Sequence, residues 1–264
     1  MGLYAAQHCL GGGHRDATAR ALVQLHAQLY VFRMTDSPQD LTDVLLDAAL
    51  MHVPFDGWSD VTFKAAALDA GVDLTLARAV CPRGAVDLAL AYHVRGDAAM
   101  IERLQSDDLP DRFRDKIAAG VRFRIEAVTD KEAVRRGTTL FALPIYAADG
   151  AKAIWGTADK IWATLGDSSE DVNWYTKRGT LSGVYSATVL YWLGDDSTDN
   201  QATWAFLDRR IDDVMQIEKA KAQLRENKLL SALMTGPNWV LNQIKAPAGA
   251  SDSDLPGTWS SPRN

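Results

Sequence analysis

The sequence contains little cysteine and none of the short motifs that mark common enzyme active sites. Its 264 residues include two cysteines, Cys9 and Cys81, which lie too far apart to suggest a zinc site or a disulfide framework. There is no P-loop, no GxGxxG after a strand, no HExxH and no GxSxG. The five histidines never fall at metal-ligand spacing, and no Glu-x-x-His pair suits a di-iron bundle. We therefore expect no catalytic residue, no metal and no cofactor.

Long apolar runs and an excess of positive charge are also missing. No stretch approaches the ~18–20 consecutive apolar residues that span a bilayer, so the sequence predicts at most peripheral contact with a membrane. The formal net charge of −6 disfavours a general affinity for nucleic acid or anionic lipid, although a local patch can override it. The hydrophobic fraction of 47% is sufficient for a large core.

Helical periodicity dominates the chain, and no segment alternates long enough to compete with it, so the predicted fold class is all-α. A first helix is expected to begin at Ser37-Pro38. Two more follow, from about Ser59 to Ala70 and from Asp73 to Val80, with Gly71 as the cap between them. This order is that of a TetR-type helix-turn-helix head, which we assign to residues 37–84.

The predicted head is acidic. From Asp40 to Tyr92 there are eight aspartates against one lysine and two arginines, a net charge of −5. DNA binding depends on cations that neutralise phosphates, and Asp73 opens the would-be recognition helix. We therefore expect the helix-turn-helix arrangement without a nucleic acid partner. A plain three-helix bundle is compatible with the same pattern.

Residues 85–217 are predicted to form a helical body. Its most informative stretch is GDSSEDVNWYTKR, from Gly166 to Arg178. A helix start at Ser168 or Ser169 leads into Trp174 and Tyr175, which lie about 100° apart around the helix axis. At least one ring is expected to face away from the core, which suits recognition of a partner or an amphipathic ligand.

Trp174 begins a stripe at helical spacing, and such a stripe is more often core than binding surface. A lipid pocket also needs an apolar lining, so the two interpretations overlap. The residues that line up with Trp174 are Arg178, Leu181, Tyr185, Thr188 and Trp192.

Residues 218–245 are predicted to form a basic amphipathic helix, with four lysines and one arginine against one acid from Lys219 to Lys245. Basic charge beside an apolar face suits a helix that lies on an anionic membrane. The alternative is a terminal helix that docks on protein, and residues 246–264 are expected to be disordered. The expected membrane-binding residues are Leu229, Leu230, Leu233, Trp239, Leu241 and Ile244.

Residues 1–36 are expected to be an extension ahead of the folded chain. The stretch that begins at Met34 and reads MTDSP resembles a true start, so the preceding residues are interpreted as disordered or as a start-site artefact. The alternative is a functional leader, although its hydrophobic face is poorly formed.

The sequence contains W-x₃-GD at Trp162 to Asp167, then NWYTKR, and then TWAFLDRRIDDVM at Thr203 to Met215. Together these motifs resemble the Coq-nine family of ubiquinone-biosynthesis accessory proteins. The resemblance runs from about Leu41 to about Ile244. It implies a fold related to TetR-type regulators, a homodimer, and non-catalytic binding of isoprenoid quinone intermediates and phospholipid. It also implies that the protein presents those intermediates to the demethoxyubiquinone hydroxylase. The expected location is the cytoplasmic surface of the inner membrane, or the matrix surface of the mitochondrial inner membrane in a eukaryote.

The same resemblance assigns individual roles. It gives Arg178 a place at a lipid headgroup, where the alternative is an ion pair with Asp171 or Glu170 of the same helix. The competing function is a TetR-like transcriptional regulator with a small hydrophobic effector, which the acidic head disfavours. The positions that the resemblance places on a hydroxylase-facing patch are Ile161, Asp171, Trp174 and Tyr175.

Overall fold

The computed structural model describes residues 38–106 and 108–226. In this part of the chain there are ten α-helices, one short 3-10 turn at Thr198–Asn200 and no strand, which confirms the all-α prediction. The helices are α1 (Pro38–Leu50), α2 (Val53–Asp56), α3 (Asp60–Asp69), α4 (Leu74–Val80), α5 (Ala85–Ser106), α6 (Phe113–Glu126), α7 (Lys131–Phe141), α8 (Ala147–Thr164), α9 (Val172–Leu193) and α10 (Gln201–Glu226).

Several predicted features lie outside the described residues. They are the extension at residues 1–36, the tail at residues 246–264, and the membrane-binding side chains Leu229, Leu230, Leu233, Trp239, Leu241 and Ile244. Helix α10 runs through the expected boundary at residues 217 and 218 without a break, and its described part extends to Glu226. No described helix combines the length and apolarity that a membrane crossing requires.

The described part of the chain divides into two compact units, with the division between residues 91 and 92. In the first unit, the predicted helix starts are confirmed. The Ser59 hydroxyl accepts a hydrogen bond from the Thr62 amide at 3.3 Å, and the Asp73 carboxylate accepts one from the Thr75 amide at 2.8 Å. Gly71 has a φ of 61°, the left-handed conformation that ends a helix.

The inward face of α1 differs from the predicted one. The helical pattern of the sequence predicts an inward face made of Leu41, Val44, Leu45, Ala48 and Ala49. The Val44 side chain is instead exposed, whereas Leu46 is fully buried. Helix α1 packs against both α3 and α4, and this contact is centred on Leu45, Leu46 and Ala49. Leu45 and Ala49 are therefore buried as predicted, and the apolar stripe includes Leu46 in place of Val44.

The core of the second unit is built around α9, which packs against α8 on one side and α10 on the other. Burial of aliphatic and aromatic side chains provides the main stabilisation of such a helical layer. The largest contributors on α9 and its neighbours are Ile161, Leu181, Tyr185, Trp192, Leu207 and Ile211.

A buried ionic cluster joins three helices of this unit. The Asp97 carboxylate on α5 accepts hydrogen bonds from Arg124 on α6 at 2.7 Å, from Lys160 on α8 at 2.7 Å and from the Thr157 hydroxyl at 2.8 Å. Burial and the positive charge of Arg124 lower the pKa of the neighbouring His93 to about 4, so this imidazole is neutral near pH 7. The cluster fixes how α5, α6 and α8 pack, because separating buried partners would leave uncompensated charge.

Candidate functional site

Helix α9, which carries Trp174 and Tyr175, is capped by Asp171 and not by Ser168 or Ser169. The Asp171 carboxylate accepts a hydrogen bond from the Asn173 amide at 2.9 Å, so α9 begins at Val172. The predicted start was wrong because Ser169 has other partners. Its hydroxyl lies 2.8 Å from the Asp167 carboxylate and 2.6 Å from the Lys177 ammonium nitrogen.

Arg178 lies beneath the surface and is held by two carboxylates. Only 3% of its side chain is exposed. Its guanidinium donates hydrogen bonds to Asp159 at 2.5 Å and to Asp167 at 3.0 Å. The alternative in which Arg178 pairs with Asp171 or Glu170 is therefore wrong. The acids come from α8 and from the connection between α8 and α9, so Arg178 ties those two helices together.

Asp167 is the acidic centre of this arrangement. Burial acts to raise the pKa of its carboxyl group, but hydrogen bonds from Lys177, Ser169 and Arg178 outweigh burial and lower that pKa to about 2. Asp167 is therefore ionised at neutral pH. Together with Asp159, it balances the charge of two adjacent cations that would otherwise repel each other at the start of α9.

Above Arg178 lies a group of three rings, Trp155, Trp174 and Tyr175, which we call the aromatic cluster. The Trp174 and Tyr175 rings meet edge to face, with centroids 4.8 Å apart at an interplanar angle of 77°. Trp155 on α8 completes the group, 5.9 Å from Trp174 and 6.4 Å from Tyr175. All three rings are half-buried, so they form part of the surface and are also packed on one another.

The predicted stripe on α9 is confirmed below this cluster. Each residue expected to follow Trp174 inward is buried, namely Arg178, Leu181, Tyr185, Thr188 and Trp192. Trp174 itself is only half-buried, because it lies in the first turn of the helix, where the core ends.

The structure brings three of the four predicted partner-binding residues together. Asp171, Trp174 and Tyr175 all lie at the start of α9, and the Trp174 amide donates to the Asp171 carbonyl at 2.9 Å. Ile161 is fully buried and packs closely over Gly120 of α6, where an added Cβ would meet the Ile161 side chain at 3.0 Å. Ile161 therefore supports α8 from beneath and does not reach the surface.

The helical pattern of the sequence predicts that Trp155 and Trp162 share the apolar face of α8, but it does not predict the place of Trp155 in the aromatic cluster. Its seven-residue spacing from Trp162 was the available signal, since residues two turns apart share a helix face. The Trp162 indole donates to the Lys177 carbonyl at 3.2 Å, and the Lys177 ammonium lies 5.1 Å from the centre of the Trp162 ring. Two tryptophans of α8 thus contact the first turns of α9.

The acids and histidines of the described residues nowhere form a group of three or more that could hold a metal ion. The arrangement at the start of α9 instead offers rigid aromatic surface, one exposed carboxylate and charge that is neutralised underneath. Such chemistry suits recognition of a macromolecule or an amphipathic molecule.

Comparison with known proteins bears directly on this region. Residues 147–218, which contain the whole aromatic cluster, match the model of the family described as COQ9. The ubiquinone biosynthesis protein COQ9 of Drosophila melanogaster is 31% identical over 186 residues, covering 68% of this chain and 56% of that protein. The COQ9 protein of Xenopus tropicalis is 30% identical over 202 residues, covering 72% of this chain and 62% of that protein. The resemblance to the COQ9 family is confirmed.

The chain spans about 56–62% of the length of these COQ9 relatives. Among solved structures, a TetR transcriptional regulator from Nitrosomonas europaea superposes with a TM-score of 0.54 at 18% identity. This match covers 65% of the present chain and 96% of the regulator. The predicted TetR-like fold is therefore confirmed as a fold.

Proposed function

We propose that this protein is a non-catalytic, lipid-binding accessory protein of ubiquinone biosynthesis. It binds isoprenoid quinone intermediates at the membrane and presents them to the demethoxyubiquinone hydroxylase. The names of the COQ9 relatives support the pathway, because each is called a ubiquinone biosynthesis protein. The match at residues 147–218 supports it further, because the region shared with the family is the one that builds the aromatic cluster.

The solubility of the substrate explains why such a protein is needed. A polyprenyl tail has almost no aqueous solubility, since each methylene moved out of water is stabilised by about 0.8 kcal/mol. An enzyme that modifies the quinone head group must therefore have its substrate lifted out of the bilayer. A binding protein that shelters the tail and docks on the enzyme accomplishes both steps without a catalytic residue of its own.

The observation that carries the proposal is the packing of the aromatic cluster on a charge-balanced base. Tryptophan and tyrosine are enriched among residues that dominate binding energy at protein interfaces. Here the rings are already held in place by one another and by Arg178, which lies under Trp174. A surface that is ordered before it binds loses less conformational entropy on association. We propose that Asp171, Trp174 and Tyr175 contact the hydroxylase.

For Arg178 to bind a lipid headgroup as proposed, one of its two present ion pairs has to be broken. Its guanidinium already donates to Asp159 and Asp167, so a phosphate would have to replace one of these carboxylates. Asp159 is the candidate for release, because 43% of its side chain is exposed whereas Asp167 is buried. Arginine pairs with phosphate in the same two-pronged geometry as with carboxylate, so the exchange conserves hydrogen bonds.

Homodimerisation and membrane association complete the proposal. Helices α9 and α10 carry an apolar surface that includes Leu190 and the stacked pair Tyr191 and Phe206, whose centroids are 4.5 Å apart. An exposed apolar face on the last two long helices suits pairing with a second copy. We place the protein at the inner membrane, and the word mitochondrial in the names of the relatives supports the matrix face for a eukaryotic source.

Mass spectrometry of lipids that co-purify with the full chain tests the binding proposal. We expect isoprenoid quinone intermediates and phospholipid at a stoichiometry well above that of a control protein from the same cells. A preparation with no isoprenoid lipid, from cells that make ubiquinone, would contradict the proposal. Specific binding to an operator, released by a small hydrophobic molecule, would favour the regulator instead.

A further inference from the structure

The connection between α7 and α8 is an exposed apolar segment. Residues 140–146 read LFALPIY, without a single charged side chain, and we call them the apolar loop. Ile145 is 75% exposed and Leu143 is 48% exposed. Leu140, Phe141 and Tyr146 are half-buried at its two ends. Adjacent exposed aliphatic side chains of this size commonly mark a surface that is covered in the working state of a protein.

The exposure of this loop is built into the fold. The Leu143 amide donates to the Leu140 carbonyl at 3.2 Å, and the Tyr146 amide donates to the Leu143 carbonyl at 2.9 Å. Phe141 packs so closely on α8 that an added Cβ at Gly150 would lie 2.7 Å from its side chain. The loop is thus anchored at Phe141 and held in a tight turn, which directs Leu143 and Ile145 into solvent without further rearrangement.

The charge around the apolar loop is opposite in sign to that of the whole chain. Between residues 131 and 152 there are four cations, Lys131, Arg135, Arg136 and Lys152, against two acids, Glu132 and Asp149. This local net charge of +2 occurs in a chain whose net charge is −6. Arg135 and Arg136 both contact the Glu132 carboxylate, at 2.9 and 3.1 Å, and Arg135 also donates to the Leu193 carbonyl at 2.8 Å.

We infer that the apolar loop is a contact site for an anionic lipid surface. Leu143 and Ile145 enter the acyl boundary, while Arg135, Arg136 and Lys152 lie toward the phosphate groups. Apolar side chains beside a local excess of cations bind anionic interfaces through buried area and electrostatic attraction together. The site goes beyond the proposed function, because the sequence predicts membrane contact only for side chains from Leu229 to Ile244 and none for the body.

The chemistry of the loop favours lipid over a protein partner. Its exposed tip is aliphatic, whereas protein interfaces rely on tryptophan, tyrosine and arginine at their centres. Its one tyrosine, Tyr146, lies at the base of the loop. That is the position where aromatic rings lie at the level of the headgroups when the tip is inserted.

A fluorescent label at Ile145 tests the inference directly. The full chain is prepared with Cys9→Ser and Ile145→Cys, and the thiol is labelled with an environment-sensitive dye. Cys81 is fully buried, and burial raises the pKa of its thiol, so it reacts slowly. With vesicles of phosphatidylglycerol and phosphatidylcholine, we expect a blue shift and quenching by lipids spin-labelled on the acyl chain. A label at Leu68→Cys, which is 79% exposed in the first unit, is the matched control and should show neither effect.

A double variant provides the second readout. Leu143→Ser with Ile145→Ser should weaken binding to the same vesicles by about tenfold or more, since each buried aliphatic side chain contributes strongly to transfer from water. Val61→Ser with Leu68→Ser removes similarly exposed apolar groups from the first unit and should leave binding unchanged. Circular dichroism confirms that each variant folds.

Three results would overturn the inference. One is a vesicle-bound protein whose label at position 145 stays in water, and this would leave the hydroxylase and lipid-binding proposals intact. Another is unchanged vesicle affinity of the double variant. The third is dissociation of a dimer by that variant in the absence of vesicles, because the loop would then be a contact between two copies of this chain.

Discussion

The guanidinium of Arg178 lies 4.0 Å from the centre of the Trp174 ring, one helical turn earlier on α9. The same guanidinium is fixed from below by Asp159 and Asp167. A cation over an indole face is attracted by the ring quadrupole, more strongly when water is excluded. The ion pairs that join α8 to α9 therefore also set the position of a half-buried aromatic side chain at the surface. This arrangement connects the stability of the body to the shape of its proposed docking surface.

Arg178→Ala is predicted to reduce the stability of the body and to disturb the packing of the aromatic cluster. Asp167 would keep the Lys177 ammonium at 2.7 Å but lose its buried arginine, and losing a hydrogen bond to a charged group typically costs about 1.5–3 kcal/mol. We expect a decrease of that order in the free energy of unfolding by chemical denaturation, together with a change in tryptophan fluorescence. Arg178→Lys is the matched control and should recover only part of the stability, because lysine cannot pair with both acids through one planar group. Wild-type stability in Arg178→Ala would contradict the account.

Acid should weaken the same ion pairs in a defined pH range. The folded-state pKa of Asp167, about 2, lies below the value of 3.8 that is ordinary for an aspartate side chain. Its contribution to stability is therefore fully present above pH ~4 and is lost as the pH falls from there toward 2. Urea denaturation at several pH values should show this decline, and Asp167→Asn should be less stable at neutral pH and show a shallower decline. A stability that rises as the pH falls through this range would contradict the assignment.

The sequence predicted elements that depend on local chemistry and missed those that depend on neighbours. Ser59 and Asp73 cap helices as expected, because a side-chain oxygen beside an open amide needs no distant partner. The partners of Arg178 could not be read from its own helix, since Asp159 belongs to α8 and Asp167 to the connection. Ile161 resembles a family surface position, yet tertiary packing covers it completely.

DNA binding is predicted to be absent. The eight aspartates between residues 40 and 92 exceed the cations there by five, so the first unit repels phosphate despite its TetR-like fold. Gel retardation with random and genomic fragments at low salt should show no complex at micromolar protein. Nanomolar, sequence-dependent affinity for any fragment at moderate salt would favour the regulator hypothesis.

Removal of residues 227–264 is predicted to abolish most of the co-sedimentation with anionic vesicles. The deleted stretch contains all six proposed membrane-binding side chains, from Leu229 to Ile244. Far-ultraviolet circular dichroism should show that the described helices remain folded. Raising the salt concentration should also weaken the binding of the intact chain to the vesicles, because salt screens the attraction between anionic headgroups and its basic residues. Unchanged sedimentation of the truncated chain would indicate that this segment binds protein instead.

Binding of purified demethoxyubiquinone hydroxylase to Tyr175→Lys most directly tests the claim that the aromatic cluster is a docking surface. Tyr175 is the cleaner choice, because Trp174→Lys would place a second cation beside Arg178. We expect the dissociation constant to rise about 30-fold, which corresponds to the 2 kcal/mol typical of an aromatic anchor, with Tm nearly unchanged. Phe55→Lys, an exposed aromatic of the first unit, should bind normally, and Leu181→Lys should lower Tm steeply. Wild-type affinity in Tyr175→Lys, or a loss of Tm equal to that of Leu181→Lys, would contradict the account.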